Sequence, residues 1–425
     1  MTKDKILIRG GRVVDPARKI NAVADVFIED GKVAAMPAQL PPETKIIEAA
    51  GCIVAPGFID LHVHLREPGG EENETIETGS QAAAAGGFTA IVAMPNTKPP
   101  HDNPETVAFV ARRGKEIGLT RVLPSGAITK ERKGKELTDY AALREAGACA
   151  LTDDGSTVQD DAVMEAAMRA AAKLNLTIMD HAQDSSVERK GGVMHEGEFS
   201  REFGLPGIPS FAEELTIRRD IELAEKTGCA LHIQHVTSRE GALAIAEGRG
   251  RGVRVTGELT PHHIALCDAD IHPDDANYKM NPPLRSAADR KVLIALAVNG
   301  TLSCFATDHA PHSADKKALG FLKAPFGIVG LETAIGVTYT RLVKPGLMDE
   351  MNWIRRWTVE PARIIGLPVP SLAPGSVADI VVIDVANPWR VVAAELKSKS
   401  KNTPFDGWNL TGRAKYTICS GRIVS

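Results

Sequence analysis

The sequence predicts an α/β chain: a (β/α)8 TIM-type barrel with a small β-sandwich lobe built from both chain termini. Three observations carry this prediction. Apolar strand-like runs alternate with Ala- and Glu-rich helical stretches through the middle of the chain, while both ends hold short β-like runs. His and Asp residues recur at the ends of the middle runs, and a barrel gathers its functional side chains at the C-terminal ends of its strands. The expected division gives residues 1–55 and 366–425 to the lobe and 56–365 to a metal-binding barrel.

Between residues 5 and 52 the β-like runs are Ile6-Leu7-Ile8, Val13-Val14, Ala24-Asp25-Val26-Phe27-Ile28 and Lys45-Ile46-Ile47. Gly10-Gly11, Asp30-Gly31 and Pro41-Pro42 break them, so no helix of useful length fits. Barrel strands are expected at Phe58 to His64, Thr89 to Met94, Arg121 to Ala127, Cys149 to Thr152, Thr177 to His181, Ala230 to Val236, Arg254 to Leu259 and Leu302 to Thr307. Asp161 to Leu174 and Ala212 to Thr227 read as intervening helices. The chain then returns to β pattern in the run from Ala378 to Asp384, after Pro374-Gly375, and in Lys415 to Ile418, before Gly421. Two β segments that bracket an αβ region are expected to meet in one lobe.

At 425 residues, 43% of them hydrophobic, the chain can bury a large core. Its 50 basic and 54 acidic residues give a formal charge of -4, and no broad field attracts nucleic acid or a membrane surface. The opening Met1-Thr2-Lys3-Asp4-Lys5 lacks the apolar segment of a secretory signal, so a cytoplasmic location is expected. The uncharged stretch from Gln81 to Thr97 contains Gly86-Gly87, Pro95 and Asn96 and reads as a helix end, a turn and a strand. Six scattered cysteines, Cys52, Cys149, Cys229, Cys267, Cys304 and Cys419, form no CxxC pair and are expected to be reduced and buried.

The chemistry is concentrated in Asp60-Leu61-His62-Val63-His64. Residues two apart on a strand face the same way, so His62 and His64 can share one ion. Later strands end in Asp153-Asp154, His181, His232 to His235, and Asp308. Four imidazoles and two carboxylates suffice for two divalent ions with one carboxylate bridging, and positions are left open for water. His232 and His235 lie three apart and face opposite ways, so only one fits; His235 is nearer the strand end and is taken as the ligand. Asp153 and Asp154 pose the same choice, since one of them can cap the next turn instead. His262, His263, His309 and His312 also lie near strand ends, whereas His101, His195 and His272 lie in polar loops.

Pro56 to Gly69, Met94-Pro95-Asn96-Thr97, Thr152-Asp153-Asp154-Gly155, Asn281-Pro282-Pro283-Leu284-Arg285 and Ala306-Thr307-Asp308-His309-Ala310-Pro311-His312 together resemble the class I dihydroorotases of the amidohydrolase superfamily. The HxH motif alone marks only the superfamily; the combination is more specific. The resemblance implies that His62, His64 and Asp308 hold one ion and His181 and His235 the other, with Asp154 bridging. It implies zinc, one or two ions per subunit, acidifying a water that opens the ring amide of dihydroorotate, with Asp308 as the catalytic proton carrier. The reverse reaction closes N-carbamoyl-aspartate and serves pyrimidine synthesis. Arg66, Asn96 and His312 are the implied binders of the substrate carboxylate, Asn281 of the ring, and Ser313 to Gly327 a mobile loop over the site.

Hydantoinases and the other class of dihydroorotases resemble the same layout but bridge with a carboxylated lysine, and no lysine lies between Lys135 and Lys173, which favours the class I pattern over a hydantoinase or allantoinase. A departure from many relatives is Gln183 in place of an acidic residue after His181. A non-catalytic scaffold subunit for aspartate transcarbamoylase is the other rival, and such subunits have lost ligands. With all six positions filled, a working enzyme is expected, with a homodimer and an aspartate transcarbamoylase complex as candidate assemblies.

Overall fold

The computed structural model describes residues 5–187 and 191–425; of the opening pentapeptide, Met1 to Asp4 lie outside the described residues. Parallel pairing passes through the middle of the chain in sequence order. The Phe58–Val63 strand pairs with Phe88–Ala93, and that with Arg121–Pro124. Single bridges, Gly126 to Leu151 and Leu151 to Ile178, continue to the Ile178–Asp180 strand. Leu231–Ile233, Val255–Leu259 and Cys304–Phe305 follow in parallel, and a bridge between His309 and Val63 returns to the first strand.

Most expected barrel strands are shorter than their apolar runs, such as Arg121–Pro124 for Arg121 to Ala127 and Leu231–Ile233 for Ala230 to Val236, and two depart furthest. Cys149 to Thr152 forms no extended strand; it enters the ladder through main-chain bonds from Cys149 to Pro124, Leu151 to Thr177 and Thr152 to Gly126, and then turns at Asp153. The last strand is reduced to Cys304–Phe305, beyond which Asp308 adopts a φ of 47°. Both segments leave the ladder where their carboxylates turn inward.

The helices follow from caps and periodicity. In Asp161–Lys173 the Asp160 side chain accepts the main-chain N–H of Ala162 and Val163, and Met164, Ala167, Met168 and Ala171 form the buried stripe. Pro104–Ile117 starts with Asn103 as cap and Pro at the first position, and it ends at Gly118 with φ 66°, a left-handed stop that suits glycine. Phe211–Thr227 lies within one residue of the expected Ala212 to Thr227.

The chain ends form two further sheets. One has the order Lys32–Ala34, Val26–Glu29, Ile6–Arg9, Lys45–Glu48. The other has six strands and draws on both ends: Arg422–Ile423, Asn409–Cys419, Ile380–Arg390, Cys52–Pro56, Arg12–Asp15 and Ile20–Val23. Ile6, Ile8 and Ile28 of the first sheet pack with Val54, Ile380, Val382 and Ile418 of the second in one apolar cluster. The single apolar run from Ile53 to Ile59 is thus split between two sheets. The break falls at Gly57, where a Cβ would meet the Thr89 side chain at 2.2 Å.

Below the parallel strands, Phe58, Phe88, Phe305, Trp353 and Trp357 are fully buried and in ring contact. Among the described residues no helix is long and apolar enough to cross a membrane. All six cysteines are free, with Cys149 half-buried and the other five buried.

Candidate metal centre

The six predicted ligands converge. His62 and His64 end the first strand with ring centroids 5.3 Å apart. Asp154 reaches them from the fourth segment, with Oδ1 3.2 Å from His62 Nε2 and Oδ2 3.4 Å from His64 Nε2. The same Oδ1 lies 3.6 Å from His181 Nδ1 and 3.7 Å from His235 Nε2, and those two nitrogens are 2.8 Å apart. Asp308 Oδ1 is 3.1 Å from His64 Nε2 and 3.4 Å from His62 Nε2. His62, His64 and Asp154 form one group able to hold an ion, and Asp154, His181 and His235 a second, so Asp154 is common to both.

The centre is buried, and its crowding is informative. His62 Nε2 and Asp154 Oδ1 have no hydrogen-bond partner although neither touches solvent. Burial pushes the Asp154 carboxyl up, but His62, His181 and His235 outweigh it and hold the group well below the usual carboxylate range. Nitrogen and oxygen donors facing one point, with unpaired buried lone pairs, are the chemistry of a divalent-cation site. The residues present fit such ions. His235, Asp308 and Arg66 reach inward from φ values of 31°, 47° and 61°, backbone conformations that are costly away from glycine and cluster at functional sites.

The two open choices are decided by contacts. Asp153 turns away and accepts the Thr129 main-chain N–H at 3.1 Å and its hydroxyl at 2.5 Å, which leaves Asp154 in the centre. His232 lies within the Leu231–Ile233 strand, where Nε2 is 3.0 Å from Glu258 Oε2, and His235, past the strand's end, faces Asp154.

A cavity of about 320 Å³ opens onto the centre and is lined by Arg66, Asn96, Asn281, His312 and Phe326. Arg66 donates to the Pro311 carbonyl at 3.2 Å, and among the described residues no carboxylate pairs with it. Burial lowers its pKa to about 10, so it stays cationic at neutral pH. His312 is pushed down to about 2 by burial and by Arg66 and Lys317, and donates from Nε2 to the Phe326 carbonyl at 2.8 Å. Asn96 Oδ1 accepts from His64 Nδ1 at 2.9 Å. Asn281 donates to Gln183 Oε1 at 3.0 Å, while its own Oδ1 is buried without a partner. Gln183 Oε1 also lies 3.2 Å from His181 Nε2, so this amide can fix the tautomer that leaves Nδ1 facing Asp154. A larger surface cavity of about 630 Å³, beside Tyr339, Lys344 and Glu350, holds none of the ligands.

The expected mobile loop, Ser313 to Gly327, contains two short helices, Ala314–Lys317 and Gly320–Lys323, and buries Lys317 and Phe321. His101, expected in a polar loop, is fully buried with Nδ1 2.9 Å from the Ser125 carbonyl. Three acids escaped the sequence reading. Asp60 Oδ1 accepts the main-chain N–H of His62 and of Thr307, at 3.0 and 3.1 Å; Glu74 holds His309 at 3.3 Å; and Glu258 holds His62 at 2.7 Å. For Asp60 and Glu258 the signal was an acid within an apolar run, as in Gly257-Glu258-Leu259, whereas Glu74 lies in the polar stretch Glu71 to Thr75 and carried none. Cys304 lies close enough to His232 and Glu258 to form a third donor group, but burial raises its thiol pKa well above the ordinary value and keeps it neutral.

The model of the dihydro-orotase-like family matches residues 51–241. A dihydroorotase from Halalkalibacterium halodurans is 45% identical over 421 residues, covering 99% of this chain and 98% of the relative. A dihydroorotase from Bacillus caldolyticus is 48% identical over 401 residues, 94% of each. Among solved structures, the L-hydantoinase (dihydropyrimidinase) from Arthrobacter aurescens superposes with a TM-score of 0.87 at 24% identity, covering all of this chain and 96% of that one. The dihydropyrimidinase from Brevibacillus agri gives 0.83 at 24%, over 99% and 94%. At that identity the likeness speaks to the fold.

Proposed function

This chain belongs to the dihydroorotase family of cyclic amide hydrolases, and from that membership we propose a two-ion site with His62, His64, Asp154, His181, His235 and Asp308 as ligands. The observation that carries the reading is the carboxylate shared between two imidazole pairs, with the half-buried Arg66 guanidinium, which meets no carboxylate among the described residues, at the mouth. The enzyme interconverts N-carbamoyl-aspartate and dihydroorotate in pyrimidine biosynthesis.

Zinc is the proposed metal, on the strength of the mixed imidazole and carboxylate donors. When bound, such ions supply Lewis acidity and bring the pKa of water to about 7. Arg66 fixes the substrate carboxylate through two parallel hydrogen bonds, with His312 and the Asn96 amide beside it. Asn281 Oδ1 accepts from a ring N–H. Asp308 takes a proton at its carboxylate as water attacks the ring carbonyl, then delivers it to the leaving ring nitrogen. Phe326 and Pro325 limit the access of bulk water.

The closed sequence of parallel pairings supports a (β/α)8 barrel over residues 56–365, and the two terminal sheets support a β-sandwich lobe from 1–55 and 366–425. We also propose a cytoplasmic enzyme that forms a homodimer and associates with aspartate transcarbamoylase. Asp154 at the bridging position and Arg66 in the cavity favour dihydroorotate over hydantoins. Steady-state hydrolysis of dihydroorotate and dihydrouracil by the purified metal-loaded enzyme tests the substrate reading: the carboxylate-free compound should be turned over poorly. Comparable kcat/KM for the two would refute it.

A further inference from the structure

We infer that Glu258, held by His232, is a positioning residue that couples the two metal sites through one of its oxygens. Glu258 is fully buried at the end of the Val255–Leu259 strand. Its Oε1 accepts from His62 Nδ1 at 2.7 Å and from the main-chain N–H of His235 at 3.1 Å. Oε2 accepts from His232 Nε2 at 3.0 Å, and His232 Nδ1 in turn lies 2.8 Å from the Thr256 hydroxyl.

Each contact has a consequence at the centre. A proton on His62 Nδ1 leaves the lone pair on Nε2, the atom that faces Asp154 and Asp308. The bond to the His235 N–H secures a residue whose φ of 31° is unfavourable without such restraint, and thereby holds His235 Nε2 beside His181. One oxygen thus orients a ligand of each proposed ion.

The charge argument points the same way. Glu258 has no Lys or Arg partner among the described residues; its ion-pair partners are His62 and His232. A buried carboxylate without a cation is costly, and positive charge relayed through His62 offsets that cost when the centre is loaded. His232 then serves to hold the second oxygen so that the first keeps both of its acceptor directions. His232 lies within the Leu231–Ile233 strand and His235 just past its end, and Glu258 touches both.

This inference rests on the two-ion reading, and a chelator-competition titration with zinc, paired with the visible spectrum of the cobalt-loaded protein, separates the two. Wild-type protein that fails to bind two ions overturns the reading itself. Given two ions in the wild type, Glu258→Gln and Glu258→Ala should weaken both sites by about 10- to 100-fold and shift the cobalt bands. His232→Gln, which can still donate from its amide, should stay near wild type, while His232→Leu should weaken both sites. Adding His232→Leu to Glu258→Gln should cost little more. Wild-type affinities and spectrum in Glu258→Gln, or a loss confined to one ion, overturn the coupling even if Glu258→Ala does not fold.

Discussion

Asp153 and Asp154 are neighbours with the same charge and opposite environments. Thr129 satisfies Asp153 through two hydrogen bonds, whereas Asp154 faces four imidazoles. Removing a carboxylate shared by two cations should lower binding as well as chemistry, so Asp154→Ala is expected to lose metal and turnover together, measured by elemental analysis and rate on one preparation. Normal metal content at a normal rate would exclude the bridge. Asp308→Ala should nearly abolish the rate measured in the same assay, because the proposed proton carrier is gone. Arg66 lies in the cavity with no carboxylate partner among the described residues, so Arg66→Met should raise KM for dihydroorotate on the order of 10²-fold, the cost of losing a charge-assisted pair. An unchanged KM would move carboxylate recognition elsewhere.

At the level of the element, the segment over the cavity is held from beneath by lysines. Lys317 Nζ donates to the Pro325 and Gly327 carbonyls, each at 3.0 Å, and Lys279 Nζ sits 4.6 Å from the Phe326 ring centroid. Burial, with Lys279 as a second cause, lowers the Lys317 pKa from 10.5 to about 7. The sign follows from proton counting. Below about pH 7 both folded and unfolded chains carry this proton, and the fold bears the full cost of the buried charge. Between about 7 and 10.5 only the unfolded chain binds it, so the contribution of Lys317 to stability rises with pH. The wild-type minus Lys317→Met difference in unfolding free energy, from denaturant titrations across this range, should climb; a flat difference would refute the shift.

Across the whole molecule, one helix ties the terminal sheet to the parallel strands. Arg12, on the six-stranded sheet, meets both carboxylate oxygens of Glu350 at 2.5 and 2.7 Å at the start of the Glu350–Trp357 helix. At its other end Trp357 stacks on Phe58 at 5.8 Å and packs edge-on to Phe88 at 5.3 Å. Trp357→Ala empties the volume between those strands and should cost about 3–5 kcal/mol in equilibrium unfolding. The cost should appear in the denaturation midpoint while KM of the folded enzyme changes little, because Trp357 is outside the catalytic cavity. A mutant with wild-type stability would show that the site collapses around the loss.

What the sequence determined by itself is the donor set and its order. Strand parity puts His62 and His64 on one face, and the αβ alternation brings distant strand ends together, so the proposed ligands could be named from strand ends and family motifs. Between Asp153 and Asp154 the strand pattern left the choice open and the family motif favoured Asp154; the tertiary structure supplied the physical reason, Thr129 in another segment holding Asp153. Tertiary structure alone gave Glu258 a role, since its bond to His62 joins residues 196 apart, and it split the Ile53 to Ile59 run between two sheets at Gly57. Periodicity fixes which way a side chain points along its own strand. What it meets there depends on the register and ends of neighbouring strands, and those are set by packing across the whole fold.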